Sequence, residues 1–298
     1  MLTRRTIMKT TIAAGAAAVF APAGLGHAAG GLTWKHFPAG QNGFFRAPVL
    51  VSGATEAVLI DGGFTLPDGK AIADAIKATG KTLTTIYISQ SDPDYYFSLG
   101  PIKAAFPDAK VLAATATVEA IKGSVEKKLA VWGPQLKENG PQTLADVIIP
   151  EVIADSTLTV DGETIEIVDA EGLPNRRHLF VPSLNAVFGG VLIFNGVHVW
   201  TADTNSAELR ATWVANLEKI AARKPAIVVA GHMAPDAPTD LSGVEHTIAY
   251  LKAFDEELAK TKDSAVLKAA MEARFPGLGM GVALDIGSKV ATGEMKWG

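Results

Sequence analysis

Between residues 49 and 131, short apolar β-branched runs alternate with amphipathic stretches, and this alternation restricts the chain to an α/β architecture. Apolar runs at 49–51 and 57–60 flank Ser52-Gly53 and read as a strand pair, the second ending in Ile60-Asp61-Gly62-Gly63. Residues 70–79 place Ile72, Ala75 and Ile76 at helical spacing, with Gly80 just past the end, where a left-handed backbone stops a helix. A β-branched strand follows at 83–88, and the polar run 89–94 leaves its carboxyl end. Residues 95–106 read as helix, 110–113 as strand and 117–131 as helix, a spacing that suggests successive βα units.

The middle of the chain is richer in strands. Asp161-Gly162 joins runs at 157–160 and 163–168 and favours a two-residue hairpin turn with positive φ. Strands continue at 179–181, 186–188 and 191–194. Residues 181–202 carry no charge, but Pro182, Asn185, Gly189-Gly190 and Asn195-Gly196 divide them into short buried pieces rather than a membrane span. Helix returns at 206–222, with Asn205 and Glu208 as its capping pair and Trp213, Leu217 and Ile220 on one face. A buried strand at 226–230 runs into Gly231-His232. Asp240 caps a further helix whose Leu241, Val244, Ile248, Leu251 and Leu258 form a stripe.

A chain of 298 residues, 48% hydrophobic and 19% charged, has ample material for a core. The absence of cysteine excludes a thiolate nucleophile, a cysteine metal ligand and any disulfide. The formal charge is −4; residues 1–28 hold Arg4, Arg5 and Lys9 and no acid, so removing those three cations leaves −7. An acidic chain with no basic block does not hold a phosphate backbone, which argues against nucleic-acid binding. Thr3-Arg4-Arg5-Thr6-Ile7-Met8-Lys9, followed by a mild Ala-rich apolar run at 11–25 and by Gly26-His27-Ala28, reads as a twin-arginine export signal. Cleavage is expected after Ala28, or alternatively after Ala29. The expectation is a signal peptide at 1–28, one domain at 29–298, passage through the twin-arginine machinery and a periplasmic location.

Three features in order carry a family resemblance: Val58-Leu59-Ile60-Asp61-Gly62-Gly63, then the loop Ile88-Ser89-Gln90-Ser91-Asp92-Pro93-Asp94-Tyr95-Tyr96, then Val228-Val229-Ala230-Gly231-His232. The chain resembles the metallo-β-lactamase-fold proteins from about Trp34 onward. The resemblance implies a four-layer αββα sandwich, which periodicity alone does not provide. It also implies metal-assisted hydrolysis, in which two metal ions polarise a carbonyl or phosphoryl oxygen and lower the pKa of a shared water.

The metal-binding loop departs from that pattern. Gln90 stands at the first histidine, Asp92 at the second, and Tyr95 at the third. The next histidine position falls near Gly172-Leu173-Pro174, and Gly190 stands where the bridging carboxylate belongs. Asp94 and His232 match. The resemblance therefore argues against a dinuclear zinc site and leaves Asp92, Asp94 and His232 as the ligands of at most one Zn, Fe or Mn ion. The alternative is that Asp94 bonds loop backbone and His232 is a packed turn residue. Without metal, two close carboxylates raise one another's pKa, so one serves as general acid or base, with Tyr95 or Tyr96 donating to an oxyanion.

Asp94, Tyr95 and His232 are thus the candidate catalytic residues, and Gln90, Tyr96 and His198 the candidate pocket residues. A core position beside Trp200 is the plainer reading of His198. Ser124-Val125-Glu126-Lys127 fits the Ser-x-x-Lys nucleophile motif but lacks its partner motifs and lies on an amphipathic helix, so a solvated face explains it. The expected function is exported hydrolysis of a small ester, lactone, amide or related carbonyl compound. The alternative is a non-catalytic periplasmic binding or scaffold protein.

Overall fold

The computed structural model describes residues 31–297 and the backbone pairing of Gly26–His27; the rest of the twin-arginine segment lies outside the described residues. The first sheet runs in the order β1 (Gly26–His27), β2 (Thr33–His36), β3 (Val49–Ser52), β4 (Glu56–Ile60), β5 (Thr82–Tyr87), β6 (Lys110–Ala114) and β7 (Glu151–Ile153). Strands β1 to β4 pair antiparallel. From β4 to β7 the pairing is parallel, because α1 (Leu66–Thr79), α2 (Leu99–Ala105) and α3 (Thr115–Leu136) carry the chain back each time.

The second sheet contains β8 (Thr157–Val160), β9 (Glu163–Asp169), β10 (Arg177–Val181), β11 (Ala186–Phe188) and β13 (Ile227–Val228). A separate ribbon pairs β12 (Phe194–Asn195) with β14 (His232–Met233). The two large sheets face each other across one apolar core, with Trp34 of β2 against Phe188 of β11 at 5.7 Å. Helices α4 (Ala207–Ala222), α5 (Ser242–Leu258), α6 (Ser264–Arg274) and α7 (Gly281–Thr292) complete the mixed α/β, αββα arrangement. No described helix is long and apolar enough to cross a membrane.

Several local expectations hold, and several shift. Asp161 and Gly162 adopt φ of 47° and 83°, the paired positive values that a two-residue hairpin needs, and Gly80 ends α1 at φ 67°. Helix α1 begins at Leu66 rather than 70, because Thr65 caps it by accepting from Asp68 N at 3.2 Å, with Pro67 in the first turn. Ser206, not Asn205, caps α4, accepting from Leu209 N at 3.2 Å. Residues 95–106 are not one helix: a 3-10 turn at Pro93–Tyr95 precedes α2. The run 191–194 leaves its sheet, because Gly189 and Gly190 at φ 69° and 76° turn the chain, and only Phe194–Asn195 pairs again, with β14. Asp240 accepts from Ser242 N at 2.9 Å at the start of α5.

Candidate functional site

Parallel strands expose their carboxyl ends at one edge, and loops leaving them converge there. Asp61 follows β4, and Ser89 to Asp94 follow β5. His232 comes from β14, which an isolated bridge from Arg46 ties to the loop between β2 and β3. That loop is strained at Phe44 and Phe45, both left-handed with φ of 53° and 55°. It is pinned to β14 and the residue before it: Met233 N donates to Phe45 O at 2.8 Å, and Ala47 N donates to Gly231 O at 3.2 Å. Phe44 packs against Phe64 and Trp132. The result drops Arg46 into the interior, fully buried.

Arg46 is the centre of the cluster. Its Nη2 donates to Asp61 Oδ2 at 3.2 Å, its Nη1 donates to Gly231 O, and its Nε lies 3.8 Å from Asp94 Oδ2 without a hydrogen-bond partner. The guanidinium lies over the Tyr95 ring at 3.4 Å from the centroid. Asp61, at φ 63°, accepts from Ser89 N at 2.7 Å and from Ser89 Oγ at 2.8 Å. Burial raises the Asp61 carboxyl, opposed by Arg46 and by these Ser89 bonds.

Asp94 and His232 meet beside Arg46, with Asp94 Oδ2 3.5 Å from His232 Nε2. His232 Nδ1 donates to Phe44 O at 2.7 Å, so Nε2 is its lone-pair nitrogen, and the ring stacks on Phe194 at 5.0 Å. Burial and the Arg46 charge push His232 down to about 3, which keeps the ring neutral. Burial and the Asp92 charge raise Asp94 to about 7, against the pull of Arg46. The Tyr95 hydroxyl donates to Gly190 O at 3.2 Å and lies 3.4 Å from His232 Nε2. Asp94, Tyr95 and His232 therefore do come together.

The other candidates lie elsewhere. Asp92 turns outward to Lys128 Nζ at 3.1 Å, and the same ammonium donates to Ser91 O. Gln90 Oε1 accepts from Ser91 N and Asn175 Nδ2, which stiffens the loop. Tyr96 is fully buried, its ring edge-on to Phe97. His198 Nδ1 meets the Tyr250 hydroxyl at 3.1 Å in the core near α5, apart from this cluster. Ser124 donates to Ala120 O within α3.

A cavity of about 280 Å³ opens beside the 90–94 loop, lined in part by Gln90, Asp92, Arg176, Trp200, Asp203 and Trp297. Arg176 is buried over the Trp213 ring and donates to Asp203 Oδ1 at 2.6 Å. A more open hollow of about 460 Å³ against Asp169 and Arg177 includes no residue of that loop, whereas the smaller cavity is walled by its Gln90–Asp92 segment.

A sequence profile described as the metallo-beta-lactamase superfamily matches residues 42–232, about two thirds of the chain, and ends at His232. The chain belongs to the metallo-β-lactamase superfamily. Solved structures agree on the fold. A metallo-β-lactamase family protein from Thermus thermophilus is 15% identical with a TM-score of 0.57, over 88% of this chain and 91% of that one. A metallo-β-lactamase from Pontibacter korlensis is 18% identical with a TM-score of 0.50, over 77% and 99%. One from Hirschia baltica is 13% identical with a TM-score of 0.51, over 78% and 98%. No curated protein sequence shows a significant match.

The superfamily's usual group is a divalent metal, and the donors here do not fit it. Asp94 and His232 converge, Asp92 points to Lys128, and the next charged group at the junction is the Arg46 cation. Among the described residues no three His, Cys, Asp or Glu side chains gather as a ligand set. Arg46 and the part played by Asp61 were not legible in the sequence. The signal available was one cation inside Gly43-Phe44-Phe45-Arg46-Ala47-Pro48-Val49, an apolar context in which a charge is costly without a partner.

Proposed function

We propose that this superfamily member is a hydrolase of a small ester, lactone, amide or related carbonyl compound, exported by the twin-arginine route to the periplasm. Cleavage after Ala28 removes β1 and leaves β2 at the sheet edge. The observation that carries the catalytic reading is the Asp94–His232 pair, 3.5 Å apart, with Asp94 two residues beyond the Gln90–Asp92 segment that walls the 280 Å³ cavity. With its carboxyl raised to about 7, Asp94 divides between both protonation states near neutrality, as a general base and acid must. The ionised carboxylate takes a proton from water as its oxygen adds to the substrate carbonyl carbon. The protonated carboxyl then returns that proton to the leaving oxygen or nitrogen as the carbon–heteroatom bond breaks. The unpartnered Arg46 Nε–H beside Asp94 is a donor for the oxyanion formed between these steps.

One observation favours the second reading, a binding protein. Arg46, Tyr95 and His232 are almost entirely enclosed, whereas Trp200, Trp297, Arg176 and Asp203 face the open cavity. A panel of chromogenic esters, lactones and amides decides between them. Turnover that Asp94→Asn abolishes, with circular dichroism unchanged, supports the hydrolase. No turnover across the panel, with tryptophan fluorescence altered by the same compounds, supports the binding protein.

A further inference from the structure

We propose that the Arg46 guanidinium is the resident cation of this centre, a covalent replacement for metal that occupies the space between Asp61, Asp94 and His232. The proposal rests on superfamily membership and the geometry around Arg46, and stands or falls separately from the hydrolase reading. Three observations carry it.

First, the guanidinium meets the carboxylates from both strand ends: Nη2 reaches Asp61, which follows β4, and Nε faces Asp94, which follows β5. A divalent ion placed between Asp94 and His232 would sit against this fixed positive charge, and repulsion at such a distance inside a protein is severe. Second, the surroundings are shaped for a planar cation rather than a sphere. Tyr95, a ring where the resemblance places a histidine, lies beneath the guanidinium at 3.4 Å, and Gly231 O accepts from Nη1. A Cβ at Gly231 would lie 3.1 Å from that nitrogen and 1.8 Å from Gly190 O, so glycine is what lets the strand and the guanidinium approach.

Third, the position where the resemblance places a bridging carboxylate is closed to any side chain. Gly190 has φ 76°, and a Cβ there would lie 1.9 Å from Arg177 O. The centre is therefore rebuilt around an arginine, not simply stripped of ligands. In this arrangement Arg46 supplies the fixed positive charge, and no metal is needed to balance Asp61.

The test uses the tag-free mature protein dialysed against ZnCl2 or MnCl2 and then against metal-free buffer, with metal measured by mass spectrometry and Tm with and without EDTA. The expected result is less than about 0.1 equivalent of either ion per chain and a Tm that EDTA does not move. Arg46→Ala is expected to lower Tm by roughly 10 °C, since it strands a buried carboxylate. If that variant fails to fold, Arg46→Lys, which keeps the charge but loses the planar fork, takes its place with a smaller fall. About one equivalent of metal in the wild-type protein, lost in Asp94→Ala, overturns the proposal. So does an Arg46 variant as stable as the wild type.

Discussion

Arg46 and Tyr95 form one stacked unit, guanidinium over ring at 3.4 Å, and through it three remote segments are held together. Arg46 arrives on the loop after β2, Tyr95 follows β5, and the Tyr95 hydroxyl anchors to Gly190 beyond β11. Each partner satisfies what the other leaves exposed. The ring gives the buried cation a polarisable face, and the cation keeps the ring from solvent.

Replacing the ring is therefore far costlier than replacing the hydroxyl. Tyr95→Phe keeps the stack and loses one neutral hydrogen bond, an expected cost of about 1 kcal/mol. Tyr95→Ala removes the ring from a fully buried position and is expected to cost about 4 kcal/mol. Urea denaturation measures both, and equal losses would exclude the stack as the main contribution.

Asp61 provides a second measure of the same cluster. Its left-handed backbone suits asparagine nearly as well, so Asp61→Asn isolates the charge. Breaking a buried pair by removing one partner is expected to cost about 3–5 kcal/mol. In the double variant with Arg46→Met the lone buried cation is gone as well, so the two losses should fall short of their sum by about 2 kcal/mol. Strict additivity would mean that the 3.2 Å contact contributes nothing.

What could be read in advance follows from the range of the interactions. The βα units, the Asp161-Gly162 turn and the Gly80 stop were legible because each depends on neighbours within a few residues. The convergence of Asp94 with His232 was implied by resemblance and is present at 3.5 Å. Asp92 leaves the cluster for Lys128, a residue of α3 that no local pattern joins to it. Arg46 was invisible for the same reason: it bonds Gly231, 185 residues away, and its burial is decided wholly by what folds around it. The Ser206 cap lies one position beyond the Asn205 that the sequence favours, because both residue types accept from helix N–H groups and only the backbone decides between them.

The charges around Asp94 predict the pH profile of any hydrolysis. As a base it works when ionised, so activity should rise with pH through a midpoint near 7. The Asp92 carboxylate raises Asp94 by repulsion, and removing it in Asp92→Asn should move the midpoint down. Lys128 acts in the opposite sense, so Lys128→Met should move it up. Rate profiles of kcat/KM between pH 5 and 9 test the pair, and shifts in the same direction would remove Asp94 from the role of base.

His178, like His232, is a buried histidine that makes the fold sensitive to acid. His178 lies in β10 with neither ring nitrogen hydrogen-bonded, and burial, aided by the Arg223 charge, pushes it down to about 4. The unfolded chain binds a proton on this ring near pH 6.5, whereas the folded chain does so only near 4. Between those values the unfolded state carries more protons, so stability is fully present above 6.5 and is lost as pH falls towards 4. A gap of that size corresponds to about 3 kcal/mol at the lower end. His178→Leu, apolar and unable to take the proton, should match or exceed the wild type at pH 7 and lose less by pH 4. Urea midpoints measured across that range give the comparison. Parallel curves for the two proteins would show that the acid sensitivity arises elsewhere.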